Sequence, residues 1–381
     1  MGKWADKYVI GLTGNIGTGK SVVRRMLEHL GAYGIDADQL AHRAIAKGAP
    51  GYQRVLETFG KWVLAPDGEI DRAKLASITF SNPVAMADLE AIIHPLVSSA
   101  IDLIIKRATQ KVIVVEAIKL IESGLGKHCD AIWVSYAFPE LQLSRLVRQR
   151  HMSEADARER IEAQSPQEEK IASASVIIKN ISTFEETWRQ VAAAWKKFIP
   201  GAMAAQPPAH VVETKAPQGT ISVVRGGPGH CLEIAELYNR LSKNHEHMTE
   251  EKVMEAFGEK AFMLLTLRNK IIGIIGWQVE NLISRTTEIL IDPRLTFEEA
   301  VPVLIKEMEQ ASRDLQCEAS LLFSDANQSA KVDFWKGLGY ERRAPETLGV
   351  LAWQEAAQES MPAGSVLFFK QLRVDRVLRP I

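Results

Sequence analysis

The chain has few cysteines. Cys129, Cys231 and Cys317 stand far apart among 381 residues and form no C-x-x-C pair. That excludes a disulfide framework and a cysteine-rich zinc site, and it suits a reducing compartment. Charge of one sign is also lacking: 46 Lys and Arg face 47 Asp and Glu, a net charge of −1. No global field draws the protein to nucleic acid or to an anionic membrane. The N-terminus has no long apolar stretch, so no signal peptide is expected, and no segment reads as spanning a bilayer. The expected location is therefore cytoplasmic, with neither membrane nor nucleic acid as a partner. Internal repeats are absent. A hydrophobic share of 46% and a charged share of 24% are ordinary for a globular chain, and its length calls for more than one domain.

Against that plain background, Gly14 to Ser21 read GNIGTGKS, a full G-x-x-x-x-G-K-[S/T] phosphate loop. The apolar run Tyr8–Thr13 before it suits a buried strand. Val22, Val23, Met26, Leu27 and Leu30 after it have helical spacing. A glycine turn between strand and helix aims backbone N–H groups, and the helix dipole, at one point. Gly14, Gly17, Thr18, Gly19, Lys20, Ser21 and Val22 are thus expected to bind a nucleoside triphosphate. Lys20 acts on the β- and γ-phosphates, and the Ser21 hydroxyl is available to Mg²⁺ carried with ATP.

Short β-rich runs at 32–36, 112–116, 131–136 and 176–178 alternate with helical stretches, which implies βαβ units and a mostly parallel sheet. The segment between Asp38 and Gln110 reads as a helical insertion. Phe184, Trp188, Val191, Trp195 and Phe198 mark an amphipathic helix that closes a first domain over 1–198. Residues 199–219, rich in Ala and Pro, read as a linker to a second domain over 220–381.

Carboxyl ends of parallel strands open onto the ligand crevice. Asp36 and Asp38, in GIDAD at the end of the second strand, are therefore candidates for chemistry; were the strand to continue, they would share a face. The competing reading is a cap for the next helix. Glu116 ends the third strand and could hold Mg²⁺ directly or through water. Residues 142–160 carry Arg145, Arg148, Arg150, Arg158 and Arg160. They read either as a solvated face or as a lid that brings guanidinium groups to the transferring phosphoryl. Ser153 before Glu154 and Asp156 predicts a helix–turn–helix break. Arg72 stands at a predicted helix start, and His94 precedes Pro95.

Residues 8–198 resemble the dephospho-CoA kinase family through GLTGNIGTGKS (11–21), GIDAD (34–38), DGEIDRAKLASITF (67–80), LEAIIHPLV (89–97), ESGL (122–125) and the arginine-rich stretch 145–164. The resemblance implies transfer of the ATP γ-phosphate to the 3′-hydroxyl of dephospho-CoA. It implies Asp38 as general base, Asp36, Arg72 and His94 around the acceptor, and Arg148 or Arg150 as the lid arginine, because the family's usual position falls on Gln149. Where the family has Pro-Leu-Leu after the third strand, this chain has Ile118-Lys119-Leu120. The remaining alternatives are a kinase for another small hydroxyl compound and a nucleotide-binding regulator with weak turnover.

The second domain reads as another α/β unit: strands at 261–267, 270–279 and 287–291, a helix over 301–315, a strand at 319–324 and a helix over 330–338. That order, with FWKGLGYERR at 334–343, resembles GCN5-related N-acetyltransferases. The resemblance implies an acyl-CoA or other ligand, and a glycine-rich pyrophosphate loop after Ile291. The chain there reads DPRLTFEE, with no glycine and two acids at its end, which argues against acetyl transfer. Oligomeric state is left open.

Overall fold

The computed structural model describes residues 3–374 apart from 5, 151, 200–211, 217–218, 242–246, 269 and 281. In the first half, β1 (Tyr8–Thr13), β2 (Tyr33–Asp36), β3 (Val112–Glu116), β4 (Ala131–Tyr136) and β5 (Val176–Lys179) form a sheet in the order β2-β3-β1-β4-β5. Every pair in it is parallel. Nearly all of β1 and β3 is buried, as expected of strands covered on both faces. The helices are α1 (Lys20–His29), α2 (Ala37–Ala44), α3 (Tyr52–Phe59), α4 (Arg72–Ser81), α5 (Pro83–Arg107), α6 (Pro139–Arg150), α7 (Glu154–Glu162), α8 (Gln167–Ala172) and α9 (Phe184–Phe198).

The insertion is helical, as its sequence predicts, but α5 departs from one expectation. By length and composition it could cross a bilayer. The polar and charged residues scattered along its 25 positions hide this in the sequence. In the fold its Val97, Ile101, Ile104 and Ile105 pack with Tyr33, Ile35 and Val115 in a core under the sheet. Parallel register then does the positional work: Glu116 is level with both Leu12 and Asp36. Two acids are thereby brought to the strand ends where the phosphate loop begins.

The second half holds β6 (Val212–Ala216), β7 (Gly219–Arg225), β8 (Ala261–Leu267), β9 (Lys270–Glu280), β10 (Ile283–Ile291), β11 (Ala319–Ser324), β12 (Glu341–Arg342) and β13 (Val366–Gln371). They form one sheet in the order β12-β13-β11-β10-β9-β8-β7-β6. The β10–β11 pair is parallel, joined through α12 (Phe297–Asp314), and the other pairs are antiparallel. The remaining helices are α10 (Cys231–Leu241), α11 (Glu250–Ala256), α13 (Ala326–Ser329), α14 (Val332–Gly337) and α15 (Leu351–Ser360).

Three sequence expectations shift here. β6 lies inside the stretch read as linker; its hydrogen bonds come from β7, a partner its Ala- and Pro-rich surroundings do not announce. Ile199 caps the end of α9 and Gly219 begins β7, while 200–211 and 217–218 fall outside the described residues. β10 starts four residues before Thr287, because a register shift between Thr286 and Glu288 breaks the alternating pattern. The helix read over 330–338 is the shorter α14, with α13 ahead of it.

Candidate active site

Gly14, Gly17 and Gly19 all have positive φ, 149°, 75° and 88°. A Cβ on Gly19 would also lie 2.0 Å from Asn180 Nδ2, so both conformation and space demand glycine there. Gly19 is the N-cap of α1. No side chain caps that helix and its first turn contains no acid, so its first amides face the loop without a built-in partner. The buried Lys20 donates to Asn15 O at 3.3 Å. Burial lowers its pKa; Glu116 and Asp38 act the other way, and Arg150 adds to the lowering.

The loop is gripped from outside by residues that its motif does not name. Arg145 donates to Gly17 O (3.0 Å) and Asn180 O (2.9 Å), Asn180 Nδ2 to Thr18 O (3.0 Å) and Ser135 Oγ to Thr18 O (2.8 Å). One arginine of the expected lid therefore stiffens the cradle. The helix–turn–helix break is present: α6 ends at Arg150, and Ser153 Oγ accepts the Asp156 N–H at 3.1 Å to begin α7. Arg148 and Arg150 are both exposed on the last turn of α6, and the charge of Arg150 is felt at Lys20.

The two acids of GIDAD part company. The strand ends at Asp36 and α2 begins at Ala37, so the two carboxylates do not alternate on one strand. Asp36 caps α2, accepting the Gln39 N–H at 2.9 Å. Burial, with Glu116 close by, pushes its carboxyl up to about 7. Asp38 instead reaches past the helix and accepts the Ile118 N–H at 3.0 Å. Burial raises its pKa too, against the pull of that hydrogen bond and of Lys20.

Glu116 joins the loop to the acids. It accepts the Ser21 hydroxyl at 2.8 Å and Arg24 Nε at 2.7 Å, and Arg24 also pairs with Glu28 at 2.6 Å. Burial pulls its pKa upward, but Arg24 and Lys20 outweigh that and hold it below the usual carboxylate range. Arg24, one turn into α1 and unremarked in sequence, joins Lys20 in keeping Glu116 ionised. Lys170 is another missed member. It is 2% exposed and donates to Ile118 O (2.8 Å) and Glu122 (2.7 Å), bracing the turn that holds Asp38. Neither belongs to a spaced motif; the packing of α1 and α8 against the strand ends recruits them.

Beside Asp38 opens a cavity of about 320 Å³ between α2, α5 and the segment after β3. Its walls are largely apolar, with Leu89, Ile93 and Val97 from α5 and Ala41 from α2. Asp38, His94 and Lys119 stand among them. Lys119, at the position that departs from the family pattern, pairs with Glu90 at 3.2 Å. Asp36 does not line this space. Arg72 does not either: it is exposed at the start of α4, near His42 and Glu355.

A family model for dephospho-CoA kinase matches residues 8–186. The dephospho-CoA kinase of Streptomyces avermitilis is 44% identical over 191 residues, covering 50% of this chain and 93% of that protein. That of Geobacter metallireducens is 44% identical over 194 residues, covering 50% of this chain and 96% of that protein. Among solved structures, PaiA N-acetyltransferase from Thermoplasma acidophilum in complex with coenzyme A is similar at 12% identity, with 40% of this chain and 98% of that one covered and a TM-score of 0.31.

Proposed function

Because the chain belongs to the dephospho-CoA kinase family, whose members phosphorylate dephospho-CoA with ATP, we propose that Asp38 is the general base that receives the proton of the acceptor's 3′-hydroxyl. The observation that carries this role is the place of Asp38. Its carboxylate lines the apolar cavity on one side and lies in the field of Lys20 on the other. Phosphoryl transfer asks chiefly for positioning and charge neutralisation. The α1 amides and Lys20 take the triphosphate, and the 320 Å³ cavity takes the acceptor, with His94 and Lys119 at its walls. Its apolar lining keeps Asp38 basic enough to accept a proton. Arg150 is the better placed of the two candidate lid arginines to reach the transferring group.

Among the described residues no group of three or more His, Cys, Asp or Glu could hold a metal alone. The Ser21 hydroxyl and Glu116 carboxylate, 2.8 Å apart, are hard oxygens that fit a Mg²⁺ arriving with the nucleotide. When bound, that ion would neutralise charge on the β- and γ-phosphates. A cytoplasmic location belongs to the same proposal, since the three cysteines are free thiols.

An ADP-release assay with ATP and dephospho-CoA tests the assignment. Asp38→Asn should lower kcat by about 10²- to 10⁴-fold with ATP affinity retained. Wild-type values in both would reduce Asp38 to a brace for Ile118.

For the second domain we infer a role other than acetyl transfer. Arg294 donates to both carboxylate oxygens of Asp292, at 2.8 and 2.9 Å, and Arg240 pairs with it at 2.9 Å. The Thr296 N–H and hydroxyl both donate to Glu299, while Glu298 pairs with Lys331. A pyrophosphate at the start of α12 would have to displace these acids. Acetyl-CoA binding by full-length Lys20→Ala, with hydrogen-exchange protection over 283–300, would overturn this reading.

A further inference from the structure

The turn between α12 and β11 is built in an unusual way. α12 ends at Asp314, and Gln316 has φ 60°, a left-handed conformation costly for a residue with a side chain. Its own domain fixes the turn through the Cys317 N–H to Ser312 O (2.9 Å) and the Glu318 N–H to Leu282 O (2.6 Å). The Leu372 and Arg373 N–H groups add bonds to Glu318 O from the same domain, and three further contacts of the turn reach the other half of the chain. The Tyr33 hydroxyl donates to Leu315 O at 2.9 Å, Gln316 Nε2 donates to Ile104 O at 2.9 Å, and Arg43 donates to Glu318 at 2.9 Å. Gln316 is 3% exposed and Glu318 1%.

These three contacts reach the three elements that shape the kinase site. Tyr33 is on β2, which ends in Asp36. Arg43 is on α2, five residues beyond Asp38 on a helix of only eight. Ile104 is on α5, which carries His94 and the cavity wall. So short a helix has little rigidity of its own. An ion pair at its far end, with Glu318 1% exposed, ties that end to the turn and so fixes its rotation.

We propose that the Leu315–Glu318 turn is a positioning element of the kinase site, and that Arg43 is the residue through which it sets Asp38 against the acceptor. This rests on Asp38 being the base. The acetyltransferase-like half thus acts as a scaffold for the phosphotransfer half of the same chain.

The test uses the full-length protein: Arg43→Met, Arg43→Lys, Glu318→Gln and Arg43→Met/Glu318→Met, with Asp38→Asn alongside. Each is assayed for kcat, for KM of ATP and of dephospho-CoA, and for thermal midpoint. Arg43→Met and Glu318→Gln should lower kcat at least tenfold, within the range that a displacement of about 1 Å produces. KM for ATP should stay within twofold, Arg43→Lys should recover most of the loss, and the double variant should be no worse than the poorer single. Should Arg43→Met not fold, Glu318→Gln, which keeps shape and removes only charge, carries the same expectation. Folded variants with kcat within twofold of wild type overturn the proposal, and so does a fall in thermal midpoint without a fall in kcat. Loss in Asp38→Asn with none in Arg43→Met rejects positioning alone; the reverse pattern rejects the base assignment.

Discussion

Each half of the chain contains a strand that runs through a turn into a helix N-terminus, and the two turns are opposites. Before α1 the turn has glycines at positive φ, no capping side chain and no acid in the first helical turn. Before α12 it has no glycine, a Thr296–Glu299 capping box, and Glu298 and Glu299 in the first turn. The helix dipole is the same at both sites. What differs is whether the chain supplies its own anion. A helix start that caps itself is stable and closed to phosphate, whereas one left uncapped needs an outside grip, which Arg145, Asn180 and Ser135 provide.

The largest test of that contrast is at the loop. Lys20→Ala should lower kcat in the ADP-release assay by about 10³-fold or more while leaving the thermal midpoint near wild type. Gly19→Ala should abolish turnover as well, because its Cβ and its φ are both unacceptable. Retained ATP binding by Gly19→Ala would mean that the loop can rearrange, and the contrast would weaken.

Next in size is a pH effect at the join of the halves. His29, the last residue of α1, bonds Phe257 O through Nε2 at 2.8 Å, and its Nδ1 is buried without a partner. Burial, with Arg225 nearby, depresses its pKa from 6.5 to about 3. A depressed pKa means that the unfolded state takes up a proton first as pH falls. The stabilisation is therefore complete above 6.5 and is lost on the way down toward 3. By pH 5 the loss is about 2 kcal/mol. Thermal midpoints should drop between pH 7 and 5 in wild type and change less in His29→Gln; parallel curves would remove His29 from the account.

The smallest effect belongs to the second turn. Glu299→Ala removes the capping box and should cost about 1 kcal/mol in chemical denaturation. It should not create pyrophosphate binding, since Asp292 and Glu298 remain. Detectable binding of inorganic pyrophosphate by this variant would show that self-capping was the main obstacle.

Much of this was readable from the sequence. The phosphate loop, the alternation of strands and helices, the helical insertion and the break at Ser153 all follow from local chemistry, and each is where it was expected. Asp36 and Asp38 were legible as a pair, but their division of labour was not. It depends on the strand stopping at Asp36, so that one acid caps α2 and the other reaches Ile118. Arg72 looked like an acceptor residue by resemblance, yet α4 places it outside the cavity. Arg24 and Lys170 gave no sign, because an isolated cation on a helix reads as surface until the fold places a carboxylate or carbonyl beside it; Arg145 was legible only as one of the lid arginines, not as the residue that holds Gly17 O.

The sequence by itself determined that Gly14–Ser21 makes a glycine cradle at a helix start, and that its second half lacks the glycines for a like one. Both are properties of a few consecutive residues, whose backbone freedom is set locally. Only the tertiary structure decided which acid lines the cavity and that the turn at Leu315–Glu318 bonds to β2, α2 and α5. Those contacts join residues 52 to 282 positions apart, and nothing local in a chain specifies a partner at that distance.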